Sequence, residues 1–246
     1  MIKGEFPRIH RLSEESLEVL RRLRYRHRLV KMRTMAKNGL HAIALSAGLS
    51  MKSKLLTKTG RAKLELLDLS PVLKEQQREW LDLIDQLNHR IARLGSEIEQ
   101  IGEADPRVQL LRTHHGIGPL TALALVHTLE PVTRFSNSRK VTAFVGLEPC
   151  EESSDEKVRW VGISKAGSRL LRFLLIEAAG VAIKYDDELK RFYLRLLHRR
   201  DWCKAKVAVA RKLLVRAWIM LRDRIDYAEF LKRGVAVGSA RTGHRP

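Results

Sequence analysis

The sequence predicts a mainly α protein, in which a long coiled-coil helical stalk leads into a compact helical domain with a helix-hairpin-helix-like motif and a small β-hairpin. Three observations carry this expectation. Apolar residues recur at alternating spacings of four and three between Trp80 and Ile101, which is a coiled-coil stripe. Short runs of helix formers, separated by Gly, Pro and capping residues, fill the second half. One β-prone run, Val158-Arg-Trp-Val, follows a polar turn and interrupts them.

The elements follow in chain order. Ser13 before Glu14 and Glu15 is an N-cap, and the proline-free segment to about Leu45 is one long helix. Its middle carries Arg21, Arg22, Arg24, Arg26, Arg28, Lys31 and Arg33 on several faces, either solvated or in contact with a polyanion. Residues 46–69 are a connector with short helical pieces. Ser70-Pro71 starts the next helix, because proline at the first helical position forfeits no hydrogen bond. Trp80, Ile84, Leu87, Ile91, Leu94, Ile98 and Ile101 form its seam, which fits either an antiparallel hairpin with the first helix or pairing with another subunit. Gly102 to Pro106 ends it. Three segments result: a basic helical linker region at 1–105, a compact domain at 106–233 with a hairpin at 149–163, and a small, basic, disordered tail at 234–246. Within the compact domain, Leu170–Ile183 and Val207–Leu221 supply the core, with Trp218 and Phe173 buried and Met220 and Trp202 at its centre or edge.

Charge narrows the partners. The 246 residues include 47 Lys and Arg against 28 Asp and Glu, a formal charge of +19, which attracts phosphate backbones or an anionic membrane. No apolar run approaches the roughly 20 residues of a spanning helix, and the start lacks a signal-peptide core, so the expectation is a cytoplasmic, nucleic-acid-binding chain with no membrane partner. A merely solubilising surface or a ribosome-associated protein fits the charge as well. Cys150 and Cys203 have no metal-ligand spacing and read as structural thiols.

Two motifs carry chemistry. Leu110-Leu-Arg-Thr-His-His-Gly-Ile-Gly-Pro-Leu-Thr-Ala reads as helix, tight turn, helix. Gly116, Ile117 and Gly118 form the turn, and Pro119 and Thr121 open the second helix, whose free backbone N–H groups suit a phosphate. Ala122 permits close helix packing, and His114 and His115 stand ready for phosphate or for structure. The alternative is an ordinary helical corner. The second motif, Gly162-Ile-Ser-Lys-Ala-Gly-Ser-Arg-Leu-Leu-Arg, places Ser164 in a loop ahead of an apolar helix, beside Lys165, Arg169 and Arg172. A serine that attacks a phosphodiester must be exposed and ringed by positive charge. A helix cap or phosphate-binding hydroxyl is the other reading, and Ser168 is a weaker candidate.

These two motifs, with Arg139-Lys-Val-Thr-Ala-Phe-Val-Gly-Leu-Glu-Pro between them, resemble the C-terminal domain of transposases of the insertion sequence 110/116/902 family. The resemblance is strong over about 107–200, and the stalk looks like the family's coiled-coil linker. It implies a DNA-binding transposase acting in recombination, with Ser164 as the nucleophile joined to DNA. It also implies homo-oligomers through the stalk and an element-encoded guide RNA as partner. Members are similar in an N-terminal RNase-H-like domain whose acidic residues hold a divalent metal such as Mg. This chain starts about where that domain should end, and Glu14, Glu15 and Glu18 lie too close together to replace it. The expectation is therefore a truncated, by itself inactive transposase with no metal or other cofactor of its own. The alternative is a catalytically inactive nucleic-acid-binding or architectural helix-hairpin-helix protein.

Overall fold

The computed structural model describes residues 10–154 and 157–242. They form two compact units, one of residues 24–97 and one that combines the chain start to Leu23 with Ile98 onward. Helix α1 (Glu14–Ser46) and helix α3 (Pro71–Ala104) each run from one unit into the other, with the short α2 (Lys58–Glu65) between them. Both long helices start as the sequence predicts. Ser13 Oγ accepts the Ser16 N–H at 3.2 Å, and Ser70 Oγ accepts that of Leu73 at 3.4 Å.

In the unit of residues 24–97 the seam is filled from within the chain. Leu29 packs with Leu87, Ile91 and Leu94, while Ala36, Leu40 and Ala44 pack with Ile84, Leu55 and Leu64. Early α1 thus meets late α3 and late α1 meets early α3, which is the antiparallel hairpin of the two arrangements the stripe permits. Gly39 lets the Trp80 ring lie against α1, 2.9 Å from where a Cβ would stand. Polar ties fix the register: Arg33 Nη1 donates to Asn88 Oδ1 at 3.0 Å, and Arg61 grips Asp85 with two hydrogen bonds.

The other unit is built from the start of α1, α4 (Pro106–Arg112), α5 (Pro119–Leu129), α6 (Ser138–Val145), α7 (Arg169–Tyr185), α8 (Asp187–Leu197), α9 (Trp202–Asp223) and α10 (Tyr227–Thr242). Its core centres on α5, buried from Thr121 through Leu129, and on the apolar stripes of α7 and α9. Val19, Leu20 and Leu23, from the first half of α1, belong to this core. Strands β1 (Pro149–Ser154) and β2 (Lys157–Ile163) pair antiparallel, with an irregularity at Cys150/Glu151, as the hairpin expected at 149–163.

Two expectations are corrected. Phe173 is 45% exposed, because the buried stripe of α7 runs through Leu171, Leu175, Ala178 and Ala182 and position 173 faces away from it. Trp202 is 61% exposed, in the first turn of α9 ahead of its first buried residue, Ala205. Helix α10 runs to Thr242, and of the tail expected from 234 the residues 243–246 lie outside the described residues. Trp218 and Met220 are buried as expected. Among the described residues no helix is long and apolar enough to cross a membrane.

Candidate functional site: the serine loop and the His-Gly-Ile-Gly turn

The serine loop is clamped by backbone. β2 delivers the chain to Ser164, whose N–H donates to Glu148 O at 3.0 Å, and the Lys165 N–H donates to Gly146 O at 3.2 Å. Gly146 ends α6 in the left-handed region (φ +74°), and a Cβ there would stand 2.2 Å from Ala166 O and 2.4 Å from Ala166 N. Gly167 (φ +70°) abuts Phe144 O in the same way, at 2.1 Å. No side chain fits at either contact, so glycine is what lets loop and helix end touch.

Side chains reinforce the clamp. Arg172 Nη1 donates to Val145 O at 3.0 Å and to Ala166 O, and burial together with the charge of Arg169 holds its pKa below the usual arginine range. Arg172 is thus a strut behind the loop, while Lys165 (φ +57°) and Arg169 are exposed. Arg134 lies 4.4 Å from the ring centres of both Phe135 and Phe144 and donates from Nη2 to Thr128 O. This aromatic support of α6 was not anticipated from sequence, where Arg134 looks like any surface cation.

Ser164 differs from expectation in one respect. The residue is half-buried, but its Oγ is withdrawn from solvent and has no hydrogen-bond partner. The cap of α7 is Ser168, whose Oγ accepts the Leu171 N–H at 3.2 Å. The helix-cap reading of Ser164 is therefore taken by its neighbour.

The His-Gly-Ile-Gly turn packs on the same helix. At Gly116 (φ +91°) a Cβ would stand 2.6 Å from Ala178 O and 2.8 Å from Ala182 N, both in the second half of α7. At 1.5 Å rise per residue that contact lies roughly 14–20 Å along α7 from Arg169. The two motifs share a helix and do not form one cluster. Ile117 and Thr121 are 4% and 7% exposed, their side chains in the core beside fully buried Ala122. Gly118, by contrast, is exposed and caps α5 without a side chain, which leaves first-turn N–H groups for a ligand.

His114 is no phosphate ligand, because it is buried. Its ring Nδ1 bonds to His115 O at 2.8 Å, which makes Nδ1 the protonated nitrogen, and Nε2 has no partner. It stacks 4.2 Å from the Tyr227 ring and lies 4.0 Å from Asp186. Asp186 caps α8 through the Leu189 N–H and accepts from Tyr227 Oη and from Arg216 Nη1, the latter at 2.5 Å. Arg216 also pairs with Glu188, which pairs with Lys212. This network joins the turn to α8, α9 and the start of α10.

Burial, helped by the charge of Arg216, lowers the His114 pKa to about 4 from 6.5. Between those values the unfolded chain takes up a proton that the folded chain refuses. The stabilisation is therefore complete above pH 6.5 and is lost as pH falls toward 4, about 3 kcal/mol in all. His127, also lowered by burial, acts in the same direction. A melting temperature that falls from pH 7 to pH 5, with a flatter profile in His114→Asn, is the expected result. An unchanged melting temperature across that range would contradict it.

Comparison with known proteins now adds to the geometry. A family model described as the transposase IS116/IS110/IS902 family matches residues 108–194, from the start of the turn motif through α8. The transposase for insertion sequence element IS1111A of Coxiella burnetii is 30% identical over 221 residues, 87% of this chain and 61% of the relative. A probable family 20 transposase of Pseudomonas aeruginosa is 32% identical over 229 residues, 87% of this chain and 66% of the relative. The transposase for IS1328 of Yersinia enterocolitica is 30% identical over 219 residues, 85% and 63%. The chain thus spans somewhat less than two thirds of the length of these relatives.

A helical chain with a glycine-clamped serine loop is thus similar, over most of its own length, to proteins described as insertion-sequence transposases. Residues 108–194 carry the likeness to the IS116/IS110/IS902 family.

Proposed function

We propose that this chain binds the DNA of an insertion sequence and carries the serine that joins it during strand exchange. The supporting observation is the loop at 162–168. It is held by two close glycine contacts and the Arg172 strut, it presents exposed Lys165 and Arg169, and its Ser164 hydroxyl has no hydrogen bond to break. In the reaction the Ser164 Oγ–phosphorus bond forms as the phosphorus–oxygen bond to the departing strand breaks, the hydroxyl proton passes to solvent, the departing oxygen takes one up to become the strand's free hydroxyl, and the two exposed cations stabilise the charge on the phosphoryl oxygens. Engagement of DNA turns the hydroxyl outward. The N-terminus of α7, next to the loop, adds a favourable field for phosphate.

Further phosphate contacts come from Gly116 and Gly118 through backbone, with Ile117 and Thr121 holding the turn in place. In the unit of residues 24–97, Arg24, Arg28 and Lys31 are exposed along one face of α1, at helical spacing and without ion pairs among the described residues. That face suits a DNA or guide-RNA backbone, which such contacts do not distinguish. Homo-oligomerisation through the stalk would use residues outside the hairpin seam, which α1 already covers. Among the described residues no group of three or more His, Cys, Asp or Glu could hold a metal ion, so no metal-assisted step is assigned to this chain.

The withdrawn Ser164 hydroxyl also favours a second reading, a binding module that holds nucleic acid without cutting it. Ser164→Ala separates the two. Wild type and variant should bind element-end DNA alike, each weakening with salt by about 0.9 logarithmic units per released phosphate contact and decade of salt. In an exchange assay complemented with a longer relative, only wild type should yield a covalent DNA adduct. Exchange that persists in the variant removes Ser164 from the reaction.

A further inference from the structure

Away from the serine loop, between α4, the Glu130–Thr133 connection and the last turn of α9, lies a cavity of about 530 Å³. Its size falls within the roughly 300–1,000 Å³ typical of small-ligand sites. Leu110, Val132 and Leu221 give it apolar walls, and Arg107, Glu130 and Arg224 are its charged groups.

These charges are not equivalent. Arg107 is gripped by Asp105 at 2.7 Å and lies 3.5 Å from Glu130 Oε1. Glu130 Oε2 accepts the Ser16 hydroxyl at 2.7 Å, and Ser16 Oγ lies 2.9 Å from His127 Nδ1. Ser16 and His127 are 1% and 2% exposed, so a buried support fixes the Glu130 carboxylate. Since the single Ser16 proton goes to Glu130, His127 Nδ1 carries the proton of the other bond. Arg224, with its backbone in the left-handed region (φ +54°), is exposed and has no ion-pair partner among the described residues. The cavity therefore combines apolar walls, one pre-set acceptor and one unpaired cation.

We propose that it takes a single unstacked nucleotide. The base lies against Leu110, Val132 and Leu221, Glu130 accepts from an exocyclic amine of the base, and Arg224 pairs with the phosphate. A nucleotide matches all three features at once, whereas an apolar side chain of a protein partner would leave Arg224 and Glu130 unmatched. The proposal rests on the nucleic-acid reading above and deepens it: strand exchange exposes unpaired bases, and this cavity would hold one away from the reacting phosphate. An acceptor such as Glu130 favours bases that bear an amine over thymine.

The test is calorimetric titration of the full chain with dAMP, dCMP, dTMP and inorganic phosphate. Binding of dAMP and dCMP is expected, with dTMP about tenfold weaker, equivalent to about 1.4 kcal/mol. Phosphate alone should not bind. Arg224→Ala and Leu110→Trp, the second filling the cavity, should each weaken dAMP at least about tenfold, with melting temperature as the check on folding. Absence of dAMP binding in a chain that still binds duplex DNA overturns the proposal and leaves the wider reading standing. Equal binding by wild type and both variants overturns it by placing the nucleotide elsewhere. Self-association abolished by Leu110→Trp overturns it in favour of a protein interface. Mononucleotide binding without duplex binding sinks the wider reading instead.

Discussion

Arg216→Met is expected to lower folding stability by about 3–5 kcal/mol, the usual cost of leaving a buried charge without its partner. Arg216 and Asp186 are 3% and 2% exposed in their side chains. The Asp186 pKa is lowered despite its burial because Tyr227, the Leu189 N–H and Arg216 oppose desolvation. Removing the guanidinium strips away one of these and also frees Glu188 from one of its two cations. The same change withdraws a positive charge from beside His114, so the His114 pKa should rise toward its ordinary value and the acid sensitivity should shrink. Chemical denaturation gives the first result and a pH series of the same variant gives the second. Replacing both partners, Asp186→Leu with Arg216→Met, should recover part of the loss. A single variant as stable as wild type would mean that the network is not what joins the turn to α8, α9 and α10.

Gly146→Ala is expected to be costly in a different way. The left-handed backbone costs a non-glycine residue about 1–2 kcal/mol, and forcing an atom into packed space about 1–3 kcal/mol more. Here the atoms in the way are the backbone N and O of Ala166, which cannot rotate aside. Either α6 loses its C-terminal hydrogen bonds from Gly146 and Leu147, or the serine loop lifts away. Both outcomes should abolish strand exchange in a complemented assay, even at temperatures where circular dichroism shows the variant folded. Gly118→Ala is the control, because it has an ordinary φ of −84° and nothing within 4 Å of the added carbon, and it should melt within about 1 kcal/mol of wild type. Equal losses from the two substitutions would show that glycine content, and not the loop contact, is what matters.

Much of the fold could be read from the sequence because its signals are local. The stripe from Trp80 to Ile101, the Ser70-Pro71 start, the break within Gly102 to Pro106 and the run at 149–163 each act within a few residues, and the structure follows them. Features that depend on distant partners could not be read. Arg216 interrupts an apolar run and resembles a surface charge until Asp186, thirty positions away, is seen beside it. Phe173 looks like core because phenylalanine usually is, yet the face it takes is decided by Leu171 and Leu175. The serine loop was visible as a motif, but its clamp depends on Gly146 meeting Ala166, and the inward hydroxyl of Ser164 left no mark in the residue pattern. His114 could be placed only once Tyr227 had folded over it.

The hairpin of α1 and α3 has a consequence for specificity. A cell that held several chains with similar heptads would offer each of them more than one partner. Open seams on such proteins would zip together indiscriminately. Here Leu29, Leu40, Ile84 and Ile91 already face one another within a single chain. A foreign heptad finds no vacancy to invade, so mixing with related chains would have to be admitted or refused at some surface other than this one.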